Sequence, residues 1–372
     1  MKKSFLIITC LVLALAGLQN CKPDPQTNID NDADSLYVGV PVTLVKPNRF
    51  PPIVIPEDNP LTEEGVLLGR MLFYDPIISI DSNFSCASCH KQEFAFSDGG
   101  VPFSTNVAGL TRRNTPPIFN MVWSKDFFWD GRTKDMDATS LDAMNGELHY
   151  IPSTVIPRLE TKPEYVRLFK KAFGRPGDIT TEKIQKALSQ FMLTLISADS
   201  KLDKRFRGEA VFTDAEERGF TLLFLKDTID NGADCFHCHF ATSASYLTMV
   251  DNKFHNNALQ NSPGFNNFLD KGLGEFTANM LDNGKFKTPN LRNIEVTPPY
   301  MHNAQFNTLE EVIEFYNSGL KQSPTIDPNM KTAYRGGLQY LTVQDKADLV
   351  AFLKTLTDTA FIHNSKYSNP FQ

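Results

Sequence analysis

The sequence predicts a mostly α-helical protein with long loops, and three observations carry that prediction. Apolar residues recur at three- and four-residue intervals behind Ser, Thr and Pro start signals. No stretch alternates long enough to build a broad sheet. The chain also holds 23 prolines and 21 glycines among 372 residues, which leaves long segments that no helix can use. Once a leader and a polar segment are set aside, about 325 residues remain, more than one core usually holds. Two domains are therefore expected, over residues 48–205 and 206–372.

Residues 1–21 read as a signal peptide. Lys2 and Lys3 precede an apolar run from Phe5 to Leu18 that is too short to span a bilayer. Cleavage after Ala14-Leu15-Ala16 would release a soluble protein. Cleavage before Cys21, three residues beyond Leu18, would make a lipoprotein, with Asn20 standing where such signals carry a small residue. The lipoprotein is preferred because it gives Cys21 a use, and either route puts the mature chain outside the cytoplasm. Residues 22–47 begin Lys22-Pro23-Asp24-Pro25 and continue through Asn28-Ile29-Asp30-Asn31-Asp32, a composition that predicts a flexible linker. The net charge of −6 becomes −8 when Lys2 and Lys3 leave with the leader. That balance argues against nucleic acid and anionic membrane surfaces, and for soluble, basic partners.

The helices have clear ends. Val66, Leu68, Met71 and Leu72 follow the cap Thr62 and stop at Asp75-Pro76. Pro163 opens a helix with Tyr165, Val166, Phe169 and Phe173 on its apolar stripe and Gly174 as its stop. Ile184, Leu188, Phe191 and Leu195 follow Thr180. Capping boxes are predicted at Thr213 with Glu216, Thr308 with Glu311 and, in weaker form, Thr342 with Asp345. The last opens a helix from Val343 to about Leu356, expected to pack through Ala347, Val350, Ala351 and Leu353.

Two pentapeptides carry the chemistry: Cys86-Ala87-Ser88-Cys89-His90 and Cys235-Phe236-His237-Cys238-His239. Each is a C-x-x-C-H run, the signature of covalent c-type haem attachment. Two thiols one helical turn apart can each add to a vinyl group on one porphyrin edge, and the next histidine then meets the iron. A thioredoxin-like redox pair needs no following histidine, and its βαβ surroundings are missing here. A zinc site would have to join two distant segments. The prediction is two covalently bound haem c groups in two cytochrome c-like domains, which uses four of the six cysteines.

Further runs surround these pentapeptides. Arg113-Asn114-Thr115-Pro116 and Phe128-Trp129-Asp130-Gly131-Arg132 come after the first. Thr288-Pro289-Asn290-Leu291-Arg292-Asn293 and Thr297-Pro298-Pro299-Tyr300-Met301-His302 come after the second. Over about residues 57–358 the chain resembles bacterial dihaem cytochrome c peroxidases and their MauG-like relatives.

The resemblance implies a division of labour. The haem at Cys86, Cys89 and His90 would bind hydrogen peroxide, and the haem at Cys235, Cys238 and His239 would receive electrons from a small c-type cytochrome or cupredoxin. Trp129 would stand between them, against the ordinary alternative of a core aromatic. Many relatives cap the first iron with a loop histidine. Here residues 91–148 contain none, and Asn106 occupies the corresponding position. The loop Phe94-Ala95-Phe96-Ser97-Asp98-Gly99 beside it offers no strong iron ligand. The family's distal glutamate matches Glu147 if two residues are deleted, whereas an ungapped count lands on His149. Its supporting glutamine falls near Thr139. On the second haem the far ligand would be Tyr316, with Met301 as the rival. Asn114, Thr297 and Pro299 match positions that hold a calcium ion.

His237 is expected on an exposed face, His255 and His363 as surface or capping residues, and His302 at a family position without ligating iron. The leading function is a peroxidase that reduces hydrogen peroxide to water with electrons from a periplasmic donor. The alternatives are a MauG-like oxidase acting through high-valent haem iron on a partner protein or aromatic substrate, and a non-enzymatic electron-transfer cytochrome. A homodimer stays open.

Overall fold

Thirteen α-helices and two tiny two-stranded sheets, joined by loops and short turns, make up the described part of the molecule, a computed structural model covering residues 39–174, 176–224, 232–240, 247–330 and 336–372. The expected signal peptide, Cys21 and linker residues 22–38 lie outside the described residues. In chain order the helices are α1 (Glu63–Tyr74), α2 (Cys86–Cys89), α3 (Met136–Glu147), α4 (Pro152–Glu160), α5 (Pro163–Phe173), α6 (Thr181–Leu193) and α7 (Lys201–Phe206). Then come α8 (Asp214–Phe224), α9 (Phe236–His239), α10 (Gly274–Thr277), α11 (Leu309–Glu314), α12 (Val343–Lys354) and α13 (Thr359–Ile362). Strands β1 (Thr105–Asn106) and β2 (Gly109–Leu110) pair antiparallel, as do β3 (Phe254–His255) and β4 (Phe286–Lys287).

Local chemistry explains the ends. Thr62 accepts the Gly65 N–H at 3.0 Å, and Asp75 stops α1 while accepting the Ile77 N–H at 2.8 Å. Gly174 ends α5 at φ 72°. All three capping boxes form, including Thr342 with Asp345.

Two helix pairs organise the core. α1 crosses α6 where a Cβ on Gly69 would lie 1.8 Å from the Ala187 carbonyl oxygen. α8 crosses α12 where a Cβ on Gly219 would lie 1.9 Å from the Asp348 carbonyl oxygen. Each glycine permits a backbone approach that any side chain would block. One apolar cluster gathers around the first pair, from Leu61 to Leu195, and a second around the other pair, from Leu202 to Leu356. The chain ends cross over: Phe50 joins the second cluster, while Phe361 and Ile362 return to the first.

Three expectations are corrected. Residues 39–47 are not a free tether, because Val42 and Leu44 pack on the first cluster and Val42 N–H bonds the Leu61 carbonyl at 2.9 Å. On α5 the buried stripe is Tyr165, Leu168 and Phe169, with Val166 exposed. On α12 Ala347 is exposed and Asp348 is buried instead, because Arg218 of α8 reaches its carboxylate at 2.6 Å and turns that face inward.

Candidate functional site

Each C-x-x-C-H run forms one short helix with its histidine at the end. Ser85 and Ser88 cap α2 reciprocally, and the His90 N–H returns to the Cys86 carbonyl at 2.9 Å. His239 N–H returns to the Cys235 carbonyl at 3.1 Å. The ring Nδ1 of His90 bonds the Phe96 carbonyl at 2.7 Å, and that of His239 bonds the Pro289 carbonyl at 3.2 Å. Each bond fixes the tautomer and leaves Nε2 as a lone-pair donor. Burial holds both imidazoles neutral, with His239 lowered to about 4. It also pushes the Cys86, Cys235 and Cys238 thiols up to about 12.

These histidines face two cavities. The first, of about 480 Å³, is lined by Cys86, Cys89, His90, Asn106, Trp129 and Glu147 among others. The second, of about 220 Å³, is lined by Cys235, Cys238, His239, Trp129, Met301 and Tyr316. A largely apolar cavity lined by two thiols and an imidazole whose Nδ1 is already bonded suits a covalently held porphyrin. The competing readings find no support. The four described cysteines are free thiols, and among the described residues no cluster of three His, Cys, Asp or Glu converges on a metal position.

Trp129 lines both cavities. Its Nε1–H donates to the Asn114 carbonyl at 2.8 Å, and its own carbonyl accepts the Lys287 N–H at 2.8 Å. His302 packs edge-on to it at 6.4 Å and stacks on Phe286 at 3.6 Å.

In the first cavity Glu147 and Asn106 meet, Asn106 Nδ2 donating to Glu147 Oε2. Burial raises the Glu147 pKa, opposed by Arg132 and His149. His149 is exposed and does not line the cavity, whereas Thr139 does. The loop of Phe94 to Gly99 is on the His90 side, where Phe96 supplies the carbonyl that orients the ring.

In the second cavity Tyr316 and Met301 lie together. Asn257 Nδ2 donates to the Tyr316 hydroxyl oxygen at 3.1 Å and contacts Met301 Sδ at 3.5 Å. Tyr316 falls on a π-helical turn, Phe315–Gly319, an irregularity often found at functional sites. Asn114 lines both cavities; its Nδ2 reaches the Pro299 carbonyl and, at 3.1 Å, that of Met301. Its Oδ1 is buried without a partner, and Thr297 Oγ1 donates to the Ile294 carbonyl at 3.3 Å.

The remaining histidines divide. His237 is exposed and pairs with Asp234. His255 is no surface residue: it lines the second cavity, clamped between Asp251 and Asp327. Sequence reading missed it because Asp327 is 72 residues away. It also missed Lys287, which lines both cavities with no ion pair to its ammonium among the described residues. Burial lowers the Lys287 pKa to about 8.

The comparisons agree with this architecture. Residues 63–211 match the family described as di-haem cytochrome c peroxidase. The chain is 35% identical to the methylamine utilization protein MauG of Methylorubrum extorquens, over 81% of this chain and 80% of that one. It is 31% identical to the cytochrome-c peroxidase IdrP1 of a Pseudomonas species, over 83% of this chain and 84% of that one. Among solved structures, a MauG-like protein associated with microbial copper homeostasis superposes with a TM-score of 0.79 at 33% identity. That match covers 89% of this chain and 100% of the other. The chain belongs to the di-haem cytochrome c peroxidase family, a class of oxidoreductases.

Proposed function

We propose that this protein is a peroxidase that reduces hydrogen peroxide to water at the first cavity, with electrons delivered through the second. One observation carries the reading: a half-buried carboxylate, Glu147, lines the same cavity as Cys86, Cys89 and His90. When bound there, haem would supply the Lewis-acidic iron that takes up peroxide and the redox capacity to split it. Cys86 and Cys89 would tether one porphyrin edge, and His90 would ligate through Nε2 while the Phe96 carbonyl holds Nδ1–H. Glu147 would accept a proton from the incoming peroxide and return it to the departing oxygen. Its raised pKa brings it nearer the range in which one group can do both. The second cavity would hold the other haem through Cys235, Cys238 and His239, with Tyr316, or its rival Met301, as a further protein ligand. Each apolar cluster with its cavity would then be one haem domain, divided near residue 205.

Trp129, on the wall of both cavities, would couple the two sites. Lys287, which lines both cavities, would supply a cation for an anionic group of the bound cofactor. With its amide turned over, Asn114 would present Oδ1 beside the Pro299 and Met301 carbonyls, with Thr297 near, an oxygen set that suits calcium.

The electron donor is read as a small c-type cytochrome or cupredoxin, and the location as the periplasm, with a lipid anchor at Cys21. Among the described residues no helix is long and apolar enough to cross a membrane.

A MauG-like oxidation of a partner protein or aromatic compound is the second reading. It is favoured by Tyr316 at the second cavity and by Asn106 where relatives carry a loop histidine. Steady-state assay with peroxide and a reduced small cytochrome tests the leading reading, and Glu147→Gln should reduce turnover by about two orders of magnitude. Peroxide consumed only when an aromatic or protein substrate is present would favour the second reading. Irons that ignore peroxide would leave an electron carrier.

A further inference from the structure

Asn106 is buried on the β1–β2 hairpin, and both ends of its amide are committed. Oδ1 accepts the Ala108 N–H at 2.8 Å, which turns Nδ2 toward α3, where it donates to Glu147 Oε2. The main chain adds a second tie, because the Val107 N–H donates to the Glu147 carbonyl at 3.3 Å. The hairpin is therefore docked on the last turn of α3 at the residue that faces the cavity. An amide suits this place: it accepts from its own turn and donates to a carboxylate, whereas Asp would only accept and Ala would do neither.

We propose that Asn106 is the positioning residue for Glu147, holding its carboxylate ionised and directed into the first cavity to take a proton from the incoming ligand. This rests on the reading of Glu147 as the distal acid–base. The step is a proton transfer alone: hydrogen peroxide loses one proton, the carboxylate gains it, and no electron moves. Arg132 on the preceding loop and His149 beyond α3 also favour the charged carboxylate, while burial and Asp142 oppose it. Cys89 lies within its field from α2 and carries no charge once it is a thioether. Asn106 adds a charge-assisted bond on the favouring side, and a carboxylate so held is a stronger acceptor in position than one free to rotate.

Cyanide binding to the fully ferric holoprotein tests this without turnover, since hydrogen cyanide, like peroxide, must surrender a proton to the distal base. In Asn106→Ala the acid limb of the binding-rate profile should move up by roughly one to two pH units. In Asn106→Asp, which keeps the size and the bond from Ala108, it should move further because two carboxylates then face each other. The peroxide reaction should show the same shifts, with haem content unchanged. Glu147→Gln separates the two levels of the argument. An acid limb that survives in Glu147→Gln removes both the distal assignment and the proposal. A limb that vanishes in Glu147→Gln but stays in place in both Asn106 variants overturns the proposal alone.

Discussion

The clamp on His255 gives a stability that should depend on pH in a calculable way. Nδ1 lies 2.5 Å from Asp327 Oδ2 and Nε2 2.8 Å from Asp251 Oδ2. Burial disfavours the imidazolium, but the two carboxylates outweigh it and push the pKa up to about 9. An unfolded histidine titrates near 6.5, so the roughly 2.5-unit difference corresponds to about 3 kcal/mol. The folded state holds the proton to higher pH than the unfolded state does. The contribution is therefore complete below about pH 6.5, falls as pH rises, and is gone above about pH 9. Leaving a buried carboxylate without its cation carries a similar cost, about 3–5 kcal/mol, and Asp251 has only 3% of its side chain exposed. Urea unfolding of the holoprotein and of His255→Gln across pH 5.5 to 10 is the assay. Gln keeps one hydrogen bond and loses the charge. The wild type should exceed the variant by about 3 kcal/mol at pH 6, and the gap should close by about pH 9.5. A gap that stays constant, or widens with rising pH, would refute the ion-pair reasoning.

The same geometry sets three further outcomes. Trp129→Phe should leave the first reaction with peroxide intact and slow the transfer of equivalents between the sites at least tenfold, about 1.4 kcal/mol, as read by stopped-flow absorbance. Tyr316→Met should raise the second reduction potential, because a hard phenolate that favours ferric iron is exchanged for a thioether, while Met301→Leu should leave it unchanged. A second-site signal unaltered in Tyr316→Met would bring Met301 forward as the ligand. Metal analysis should find one calcium per chain in the wild type and none in Asn114→Ala, whose backbone carbonyl still serves Trp129.

What could be read from sequence depended on whether the partners were local. Thr62, Thr180, Thr308 and Thr342 cap helices through bonds three residues away, so the elements they start were legible. The C-x-x-C-H runs are equally local, and each is one helical turn. α3 was not legible, because its residues from Met136 to Glu147 offer no apolar stripe, though Asp135 does accept the Ala138 N–H at 2.7 Å. The helix that delivers Glu147 packs on α6 through Met136, Ser140 and Met144, with Ser140 Oγ 3.4 Å from Ser189 Oγ. Asn106 and Glu147 are 41 residues apart, so their contact could not be anticipated. The bond from His90 to the Phe96 carbonyl was not legible, because a carbonyl acting as hydrogen-bond acceptor has no side-chain signature. On α12 the inward turn of Asp348 depends on Arg218, 130 residues away.

Residues 91–148 hold no histidine to cap the first iron, so we expect the first site to stand open to peroxide in the fully oxidised protein, with Glu147 as its acid–base. Electron paramagnetic resonance of the ferric holoprotein, before and after one equivalent of hydrogen peroxide, tests it most directly. The account predicts one high-spin signal from the site at His90 and one low-spin signal from the site at His239, with the high-spin signal consumed by peroxide. Two low-spin signals at rest, both indifferent to peroxide, would contradict it.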